Sequence, residues 1–203
     1  MVIIGYRGHA YVVCDILTTC NVFIDGYCEK EEKQHNPFHL TYFGDEEDEA
    51  VQQKIRSKLM FIAIGNSAIR RRIFEKFKKA GFVFIHLAHP NAHISKYTKI
   101  GENVLIASHY SIHPEVVIGN GAICNTGSII EHECKIGDFS QVAPGAVLCG
   151  NVTIGENTLI GANATVSPNV TIGKNVLIYP GAWVREDVPD NSKITNEPVK
   201  WRT

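Results

Sequence analysis

The sequence has almost no net charge, because its 20 lysine and arginine residues are balanced by 21 aspartate and glutamate residues. Nucleic-acid-binding domains are usually strongly basic, so this balance argues against a nucleic-acid partner. The chain also has no apolar run of about 18 residues, the length that crosses a bilayer, and no basic leader followed by an apolar segment. We therefore expect a cytoplasmic protein that does not insert into a membrane.

Paired cysteines are absent as well. The six cysteines are scattered and none stands in a C-x-x-C pair, so we expect reduced thiols and neither a zinc site nor a redox motif. Two groups of histidines have spacings that suggest a metal: His86, His89 and His93, and then His109 and His113. Pro90 interrupts any helix that would align the first group, so we interpret it as a linker and predict no metal site.

What the sequence does have is an internal period of six residues. From Ile94 to Val184 every sixth position is aliphatic except Cys124, and the position four residues later is usually small or β-branched, with Tyr110 the chief departure. Neither the helical period of 3.6 nor simple alternation produces this pattern. It predicts three short strands per coil, stacked into a triangular β-helix of about five coils over residues 91–185, and it does not fix the handedness.

The first 90 residues follow a different pattern, in which strands alternate with helices. The expected order is a strand in MVIIG, a helix from His9 to about Leu17, a strand Asn21–Asp25, a polar loop over 26–49, a strand Leu59–Gly65, a helix after Asn66 and a strand Phe82–Leu87. This order predicts a small, parallel, Rossmann-like α/β domain over residues 1–90. Residues 186–203 remain as a C-terminal tail.

In parallel sheets, ligands bind outside the carboxyl ends of the strands. The predicted ends are Gly5–His9, Asp25 and Asn66. The glycine turn of the first would let backbone N–H groups approach a phosphate at a helix N-terminus. Asp25 could accept hydrogen bonds from a ribose or a base, or cap a turn, and Arg70 could reach a phosphate or lie on a solvated helix face.

Four features occur along the chain in a fixed order: VIIGYRGHAYVVCDI, FIAIGNSAIRRRI, NTGSIIEHECKIGDFSQVAPGA and the unbroken hexapeptide repeat. Together they resemble, over nearly the whole chain, the small bacterial acetyltransferases that include UDP-bacillosamine-pathway N-acetyltransferases and sialic-acid O-acetyltransferases. The resemblance implies a left-handed β-helix and a homotrimer with acetyl-CoA in the cleft between neighbouring β-helices. It also implies an N-terminal domain that holds the nucleotide of a nucleotide-linked sugar.

The resemblance also assigns roles to matched positions. His132 would be the catalytic histidine, Glu133 its carboxylate partner, and Asn125 a residue near the sugar amine. The expected acetyl-CoA-binding positions are Gln141, which stands where many relatives have a second histidine, Gly150, Ala162 and Gly181. The expected nucleotide-sugar-binding positions are Gly8, His9 and Asp25, to which we add Asn66 and Arg70. At the C-terminus, TNEPVKW replaces the G-x-P-A turn usual in the family.

The chemistry of the EHEC segment fits these roles. A histidine can take the proton that a sugar amine loses when it attacks a thioester, and a carboxylate can hold the other ring nitrogen. The backbone N–H of Gly150 could stabilise the oxyanion. The repeat turns Cys134 inward, so we expect no acyl-enzyme.

We therefore predict an N-acetyltransferase acting on the 4-amino group of a UDP-, dTDP- or GDP-linked 4-amino-4,6-dideoxy sugar in bacterial surface glycan synthesis. The alternatives are a sialic-acid-type O-acetyltransferase and, in a different class, a non-catalytic scaffold or a carbonic-anhydrase-like metal enzyme.

Overall fold

The computed structural model describes residues 1–195 of the 203-residue chain. The N-terminal region contains β1 (Val2–Ile4), α1 (Gly8–Thr19), β2 (Gly26–Cys28), β3 (Tyr42–Gly44), α2 (Glu49–Ile55), β4 (Met60–Ile62) and α3 (Ser67–Lys79). Its four strands form one parallel sheet in the order β3-β2-β1-β4. This is the small, parallel, Rossmann-like α/β arrangement that the alternation of strands and helices predicts.

Helix α3 shows how sequence signals set the limits of an element. The Asn66 side chain accepts a hydrogen bond from the backbone N–H of Ile69 at 3.0 Å, which caps the first turn as predicted. The helix buries Ile73 and Phe77 against the sheet. It ends before Gly81, whose φ of +83° lies in the left-handed region that favours glycine.

The second strand is not where the sequence pattern placed it. The predicted strand Asn21–Asp25 is wrong, because the pairing strand is β2, in register with β1 from Val2 opposite Gly26. The apolar segment before β2 is partly on the surface, and the Phe23 side chain is 79% exposed. The hydrophobic pattern alone therefore placed the predicted strand too close to the N-terminus.

Two other expectations for this domain also need correction. The stretch 26–49, predicted as a loop, contains β2 and β3, and Asp48 caps α2 with its side chain. The predicted strand Phe82–Leu87 makes only one bridge to the sheet, between Phe84 and Met60. Strands β2 and β3 are only three residues long, which is too short for a clear alternation pattern in the sequence.

The rest of the described chain is a parallel β-helix made of two-residue strands. The strands are β5 (Leu87–Ala88), β6 (His93–Ile94), β7 (Lys99–Ile100), β8 (Leu105–Ile106), β9 (Ser111–Ile112), β10 (Val117–Ile118), β11 (Ile123–Cys124), β12 (Ile129–Ile130), β13 (Lys135–Ile136), β14 (Gln141–Val142), β15 (Val147–Leu148), β16 (Thr153–Ile154), β17 (Leu159–Ile160), β18 (Thr165–Val166), β19 (Thr171–Ile172), β20 (Leu177–Ile178), β21 (Trp183–Val184) and β22 (Lys193–Ile194). They form three faces of five, seven and six strands around one apolar core.

Both departures from the six-residue pattern lie in that core. Tyr110 occupies a position that is small in other coils and is 1% exposed, while Cys124 occupies a position that is aliphatic elsewhere and is fully buried. The two side chains are neighbours, and burial raises the pKa of the Cys124 thiol to about 12. The smaller residue therefore makes room for the larger one, which keeps the core filled.

The predicted domain boundaries are shifted by a few residues at both ends of the β-helix. The first strand, β5, already pairs with β8, so the β-helix begins before residue 91. The last strand, β22, lies inside the predicted tail, because Ile194 pairs with Ile178 at a spacing of 16 residues, which breaks the six-residue period. The other residues of the predicted tail segment TNEPVKW, from Asn196 onward, lie outside the described part of the chain.

Candidate active site

The EHEC segment forms one corner of the β-helix, between β12 and β13. Ile130 and Cys134 on either side are fully buried, so the side chains of residues 131–133 project from the prism. The inward position of Cys134 is confirmed, and burial raises the pKa of its thiol to about 11. A protonated, buried thiol is a poor nucleophile. Because the side chains of residues 131–133 stay outside the apolar core, no charged group is buried in it at this corner.

His132 and Glu133 form a hydrogen-bonded pair at this corner. The imidazole Nδ1 lies 2.9 Å from Glu133 Oε2, and the two side chains are 59% and 62% exposed. When Nδ1–H donates to the carboxylate, the lone pair of Nε2 is free to accept a proton. Glu133 has a φ of +63°, at the corner position that Asn151 and Asn169 occupy in the next two coils. Glu115, one coil earlier, has a φ of +62°, so this left-handed conformation belongs to the repeating corner and is not specific to the His132 turn.

Gly150 lies directly beneath the imidazole, at the same corner one coil further on. A Cβ atom at this position would be 2.7 Å from His132 Cε1 and 2.8 Å from Nε2, closer than real Cβ contacts allow. The backbone of the two coils is joined here, since Asn151 N donates to His132 O at 2.9 Å. Glycine therefore lets the ring lie flat against the next coil.

A second histidine–carboxylate pair lies one coil earlier at the same corner. His113 Nδ1 is 3.7 Å from Glu131 Oε2, and His113 Nε2 is 3.3 Å from Ser111 Oγ. We did not predict this pair from the sequence. The 18-residue separation of His113 and Glu131 is one full coil, and this spacing could have revealed it.

The other positions expected around the catalytic histidine lie elsewhere on the same chain. Asn125, Ala162 and Gly181 occupy a different corner, between the β11 and β12 faces, and Gln141 lies in β14 on an adjoining face. The face that contains β12 separates this corner from His132. Within one chain, these positions and His132 are therefore not brought together.

A second candidate site is a cavity of about 390 Å³ at the carboxyl edge of the α/β sheet. Its lining comes from the ends of β1, β2, β3 and β4 and from helices α1 and α3. The lining residues are Gly5, Tyr6, Arg7, His9, Glu29, Lys30, Glu46, Ala63, Ile64, Gly65, Ile69 and Arg72. This is the edge at which parallel sheets bind ligands. The cavity thus lies where the glycine turn was expected to hold a phosphate.

The start of α1 is open toward this cavity. The helix begins at Gly8, where a Cβ would meet nothing within 4 Å, and no side chain caps its first turn. His9 lines the cavity, and burial lowers the pKa of its imidazole to about 4. Its Nε2 is buried and has no hydrogen-bond partner within residues 1–195. The uncapped N–H groups and a neutral imidazole suit an anionic ligand that accepts hydrogen bonds.

Asp25 is not part of this cavity, so its expected position at the carboxyl end of the second strand is wrong. It precedes β2 and lies at the amino edge of the sheet, where it accepts hydrogen bonds from the Met1 amino group at 2.6 Å and from Lys58 Nζ at 2.5 Å. These bonds, with Lys58 the stronger influence, lower the pKa of Asp25. Glu29 follows β2 and takes the place that Asp25 was expected to fill. The error follows from the misplaced second strand.

Arg70 does not reach the cavity either. Its side chain is 1% exposed and donates to the carbonyl groups of Ile64, Gly65, Gly121 and Phe139, which ties the α/β domain to the β-helix. Burial lowers the pKa of its guanidinium to about 10. A phosphate-binding role for Arg70 is thus contradicted.

Asn66 lies at the end of β4, as expected, but its side-chain oxygen is already used in capping α3. The α3 cation that does line the cavity is Arg72, which joins Arg7 and Lys30 from the other side. Arg72 lies two residues after Arg70 on α3, so the helix turns it to a different side.

Among residues 1–195, no three histidine, cysteine or acidic side chains converge in a way that could hold a metal ion. None of the helices in this part of the chain has the length and apolar character needed to cross a membrane.

Comparisons with known proteins agree with both parts of the fold. The model of the PglD N-terminal domain matches residues 1–77, and the model of the bacterial transferase hexapeptide (six repeats) matches residues 151–186. The crystal structure of a perosamine N-acetyltransferase variant from Caulobacter crescentus, in complex with CoA and GDP-perosamine, has a TM-score of 0.89. The two sequences are 30% identical, over 95% of this chain and 91% of that one. The expected fold, an α/β domain followed by a left-handed parallel β-helix, is confirmed.

Two further relatives are similar. The acetyltransferase domain of PglB from Neisseria gonorrhoeae, in complex with acetyl coenzyme A, has a TM-score of 0.85 and 28% identity over 95% of this chain and 93% of that one. The GDP-perosamine N-acetyltransferase of Escherichia coli is 32% identical over 79 residues, which are 39% of this chain and 36% of that protein. The matched segment thus spans about a third of this curated relative.

Proposed function

The chain belongs to the family of hexapeptide-repeat sugar acetyltransferases, and we propose that it transfers an acetyl group from acetyl-CoA to the 4-amino group of a nucleotide-linked 4-amino-4,6-dideoxy sugar. The solved relatives hold CoA or acetyl-CoA, and the Caulobacter crescentus enzyme also holds GDP-perosamine. These ligands support acetyl-CoA as cosubstrate and an amino sugar as acceptor. We propose a GDP-, UDP- or dTDP-linked acceptor used in the cytoplasm to make a bacterial surface glycan such as an O-antigen.

The observation that carries this proposal is the His132–Glu133 pair lying on Gly150. An imidazole held by a carboxylate through one nitrogen, on a largely exposed side chain, is the arrangement that general-base catalysis requires. Cys134, the nearest buried thiol in the sequence, is turned into the core, so direct transfer between the two substrates is favoured over an acyl-enzyme.

The proposed reaction needs one proton acceptor. The neutral sugar amine attacks the thioester carbonyl, and His132 Nε2 takes the proton that the nitrogen loses as the C–N bond forms. Glu133 stabilises the resulting imidazolium. When the C–S bond breaks, His132 gives this proton to the departing CoA sulfur, so the products are the amide and free CoA thiol. Such a base typically contributes about 100- to 10,000-fold in rate.

The tetrahedral intermediate also needs a hydrogen-bond donor for its oxyanion. We assign this role to the backbone N–H of Gly150, because Gly150 lies against the imidazole. Loss of one such donor in other enzymes costs roughly 2.7 to 4 kcal/mol. No side-chain substitution removes this group, so its contribution would be measured by an amide-to-ester replacement at Gly150.

We further propose a homotrimer in which the active site lies between two chains. The corner with Asn125, Ala162 and Gly181 and the corner with His132 belong to different edges of one prism. A neighbouring β-helix would bring the first corner of one chain to the second corner of another. Acetyl-CoA would then run between them, past Gln141 and Gly150, and the dissociated chain would be inactive.

The test is the release of CoA thiol from acetyl-CoA with a panel of acceptors: GDP-, UDP- and dTDP-linked 4-amino-4,6-dideoxy sugars, CMP-linked sialic acid and free sialic acid. We expect turnover with one amino sugar, loss of at least about 100-fold in His132→Ala, and little change in His86→Ala, which removes an exposed histidine away from the corner. Turnover with sialic acid alone would replace the proposal with O-acetylation. Full activity of His132→Ala would remove His132 from the mechanism.

A further inference from the structure

The cavity of the α/β domain contains a buried carboxylate that acetyl transfer does not use. Glu46 lines this cavity and is only 6% exposed. Among residues 1–195, no lysine, arginine or histidine forms an ion pair with it. Burial is the main cause that raises its pKa; its own backbone N–H opposes this, and the nearby acids Asp45, Glu29 and Glu47 add to it. A buried carboxylate without a cation is costly unless something donates hydrogen bonds to it.

The order of the strands shows which part of a nucleotide Glu46 would face. The strands run β4, β1, β2, β3 across the sheet, and α1 begins at the end of β1. A diphosphate at the start of α1 places the ribose toward the end of β2, where Glu29 lies. Glu46 follows β3, one strand further from the diphosphate. It is therefore located on the side of the cavity where the base would lie.

Glu29 is poorly suited to read the base because its oxygens are already engaged. Its Oε2 accepts from Tyr6 N at 3.2 Å and its Oε1 from Lys30 N at 3.3 Å. Arg7 and Lys33 also lie within 4.0 Å of Oε2. Within residues 1–195 no side chain donates to Glu46, and its own backbone N–H is the one group that influences the carboxylate as a donor, so the carboxylate can still accept a pair of donors from a ligand.

The bases differ in the donors that they offer to a carboxylate. Guanine presents N1–H and the N2 amino group side by side, and a carboxylate can accept both in parallel. Uracil and thymine present a single N3–H between two carbonyl oxygens, which would repel a carboxylate. We propose, given the nucleotide-sugar function proposed above, that Glu46 recognises the guanine base and selects GDP-linked over UDP- and dTDP-linked acceptors.

The inference is tested by nucleotide binding, which does not depend on acetyl transfer. Calorimetry would compare GDP, inosine diphosphate and UDP on the full-length wild-type protein, on Glu46→Gln and on Glu75→Gln, which changes an exposed acid on α3. Inosine diphosphate lacks only the N2 amino group, so its comparison with GDP isolates the second hydrogen bond. Acetyl-CoA binding and the melting temperature serve as folding controls.

We expect wild type and Glu75→Gln to bind GDP at least about tenfold more tightly than either inosine diphosphate or UDP, as a bidentate contact implies. In Glu46→Gln the preference for GDP over inosine diphosphate should fall to nearly one. UDP should bind more tightly than it does to wild type, because the neutral amide no longer repels the uracil carbonyl oxygens. Equal or tighter UDP binding by wild type, or an unchanged GDP preference in Glu46→Gln, would overturn the role of Glu46 while leaving acetyl transfer intact. Failure of the folded protein to bind any nucleoside diphosphate would instead overturn both proposals.

Discussion

The two candidate sites of this chain are built in opposite ways. The His132 corner is a single exposed turn, and a side chain placed there leaves the apolar core of the β-helix unchanged. The cavity at the carboxyl edge of the α/β sheet collects residues from the ends of four strands and from two helices, and its two acids, Glu29 and Glu46, are largely withdrawn from water. A repeat can thus gain a reactive group by changing one turn, whereas the cavity requires several elements to be placed together.

The difference also separates the expected effects of substitution. Changes at the exposed corner should reduce the rate of chemistry with little effect on folding. Changes in the α/β domain should alter ligand affinity or protein stability, because this domain buries ionisable groups such as His9 and Glu46. Burial shifts the pKa values of both groups. Substitutions at the junction of the two regions, at the corner and at the amino edge of the sheet should show this separation.

Arg70→Met should give the largest loss of stability. The substitution leaves four carbonyl groups without their guanidinium donor at the junction of the two domains. We expect a loss of about 4 kcal/mol in the free energy of unfolding, measured by urea denaturation, because buried unsatisfied groups cost about 1–3 kcal/mol each and partly relax.

The matched control is Arg71→Met, which removes a partly exposed ion pair with Glu156 and should cost less than about 1 kcal/mol. GDP affinity of the folded Arg70→Met protein should stay within a few-fold of wild type. A large loss of GDP affinity with normal stability would restore the phosphate-binding role that the structure contradicts.

Gly150→Ala should reduce kcat by about 100-fold with little change in melting temperature. The added methyl group would occupy the space of the imidazole and push the His132 ring away from the coil, and a displacement of about 1 Å can cost this much. Steady-state kinetics would show the effect in kcat, while calorimetry should show unchanged GDP binding by the distant cavity.

A double-mutant cycle shows whether this effect acts through the ring. In a His132→Ala background, Gly150→Ala should cause almost no further loss of kcat, because the ring is already gone. Losses that multiply would mean that Gly150 acts independently of His132.

Asp25→Asn should have the smallest effect, about 1 kcal/mol of stability, because Lys58 is partly exposed and the asparagine amide oxygen can still accept a hydrogen bond from the Met1 amino group. The folded-state pKa of Asp25 is lowered, so the contribution is present at neutral pH, above the usual aspartate pKa, and is lost as the pH falls through the lowered value. Urea denaturation at pH 7 and at progressively lower pH should therefore show the wild type and variant converging in acid. A drop in GDP affinity would contradict the placement of Asp25 away from the cavity.

Sequence reasoning succeeded where one constraint repeats many times. The inward positions of Ile130 and Cys134, and therefore the exposure of His132, follow from a register that all coils share. The pairing of Tyr110 with Cys124 was not predicted, because the pattern does not show that two exceptions touch.

The α/β domain was harder to predict, because its strands have only three residues and no repeat to fix their register. Because the second strand was predicted several residues too early, Asp25 was assigned to the carboxyl edge of the sheet and Glu29 was not recognised as a residue of that edge. Arg70 and Glu46 look like surface residues in the sequence, and only the packing of the two domains and the folding of the 26–49 segment bury them. Helix α3 was predicted well since its cap and stop residues are local signals.

The central claim is that the His132–Glu133 pair catalyses acetyl transfer to a nucleotide-linked amino sugar. The most direct test is the initial rate of CoA release with acetyl-CoA and GDP-perosamine, for wild type and His132→Ala, with GDP affinity measured on the same samples. We predict turnover by wild type, a fall of about 100- to 10,000-fold in the variant and GDP affinity within about twofold. A His132→Ala protein that acetylates the sugar at the wild-type rate would contradict the account.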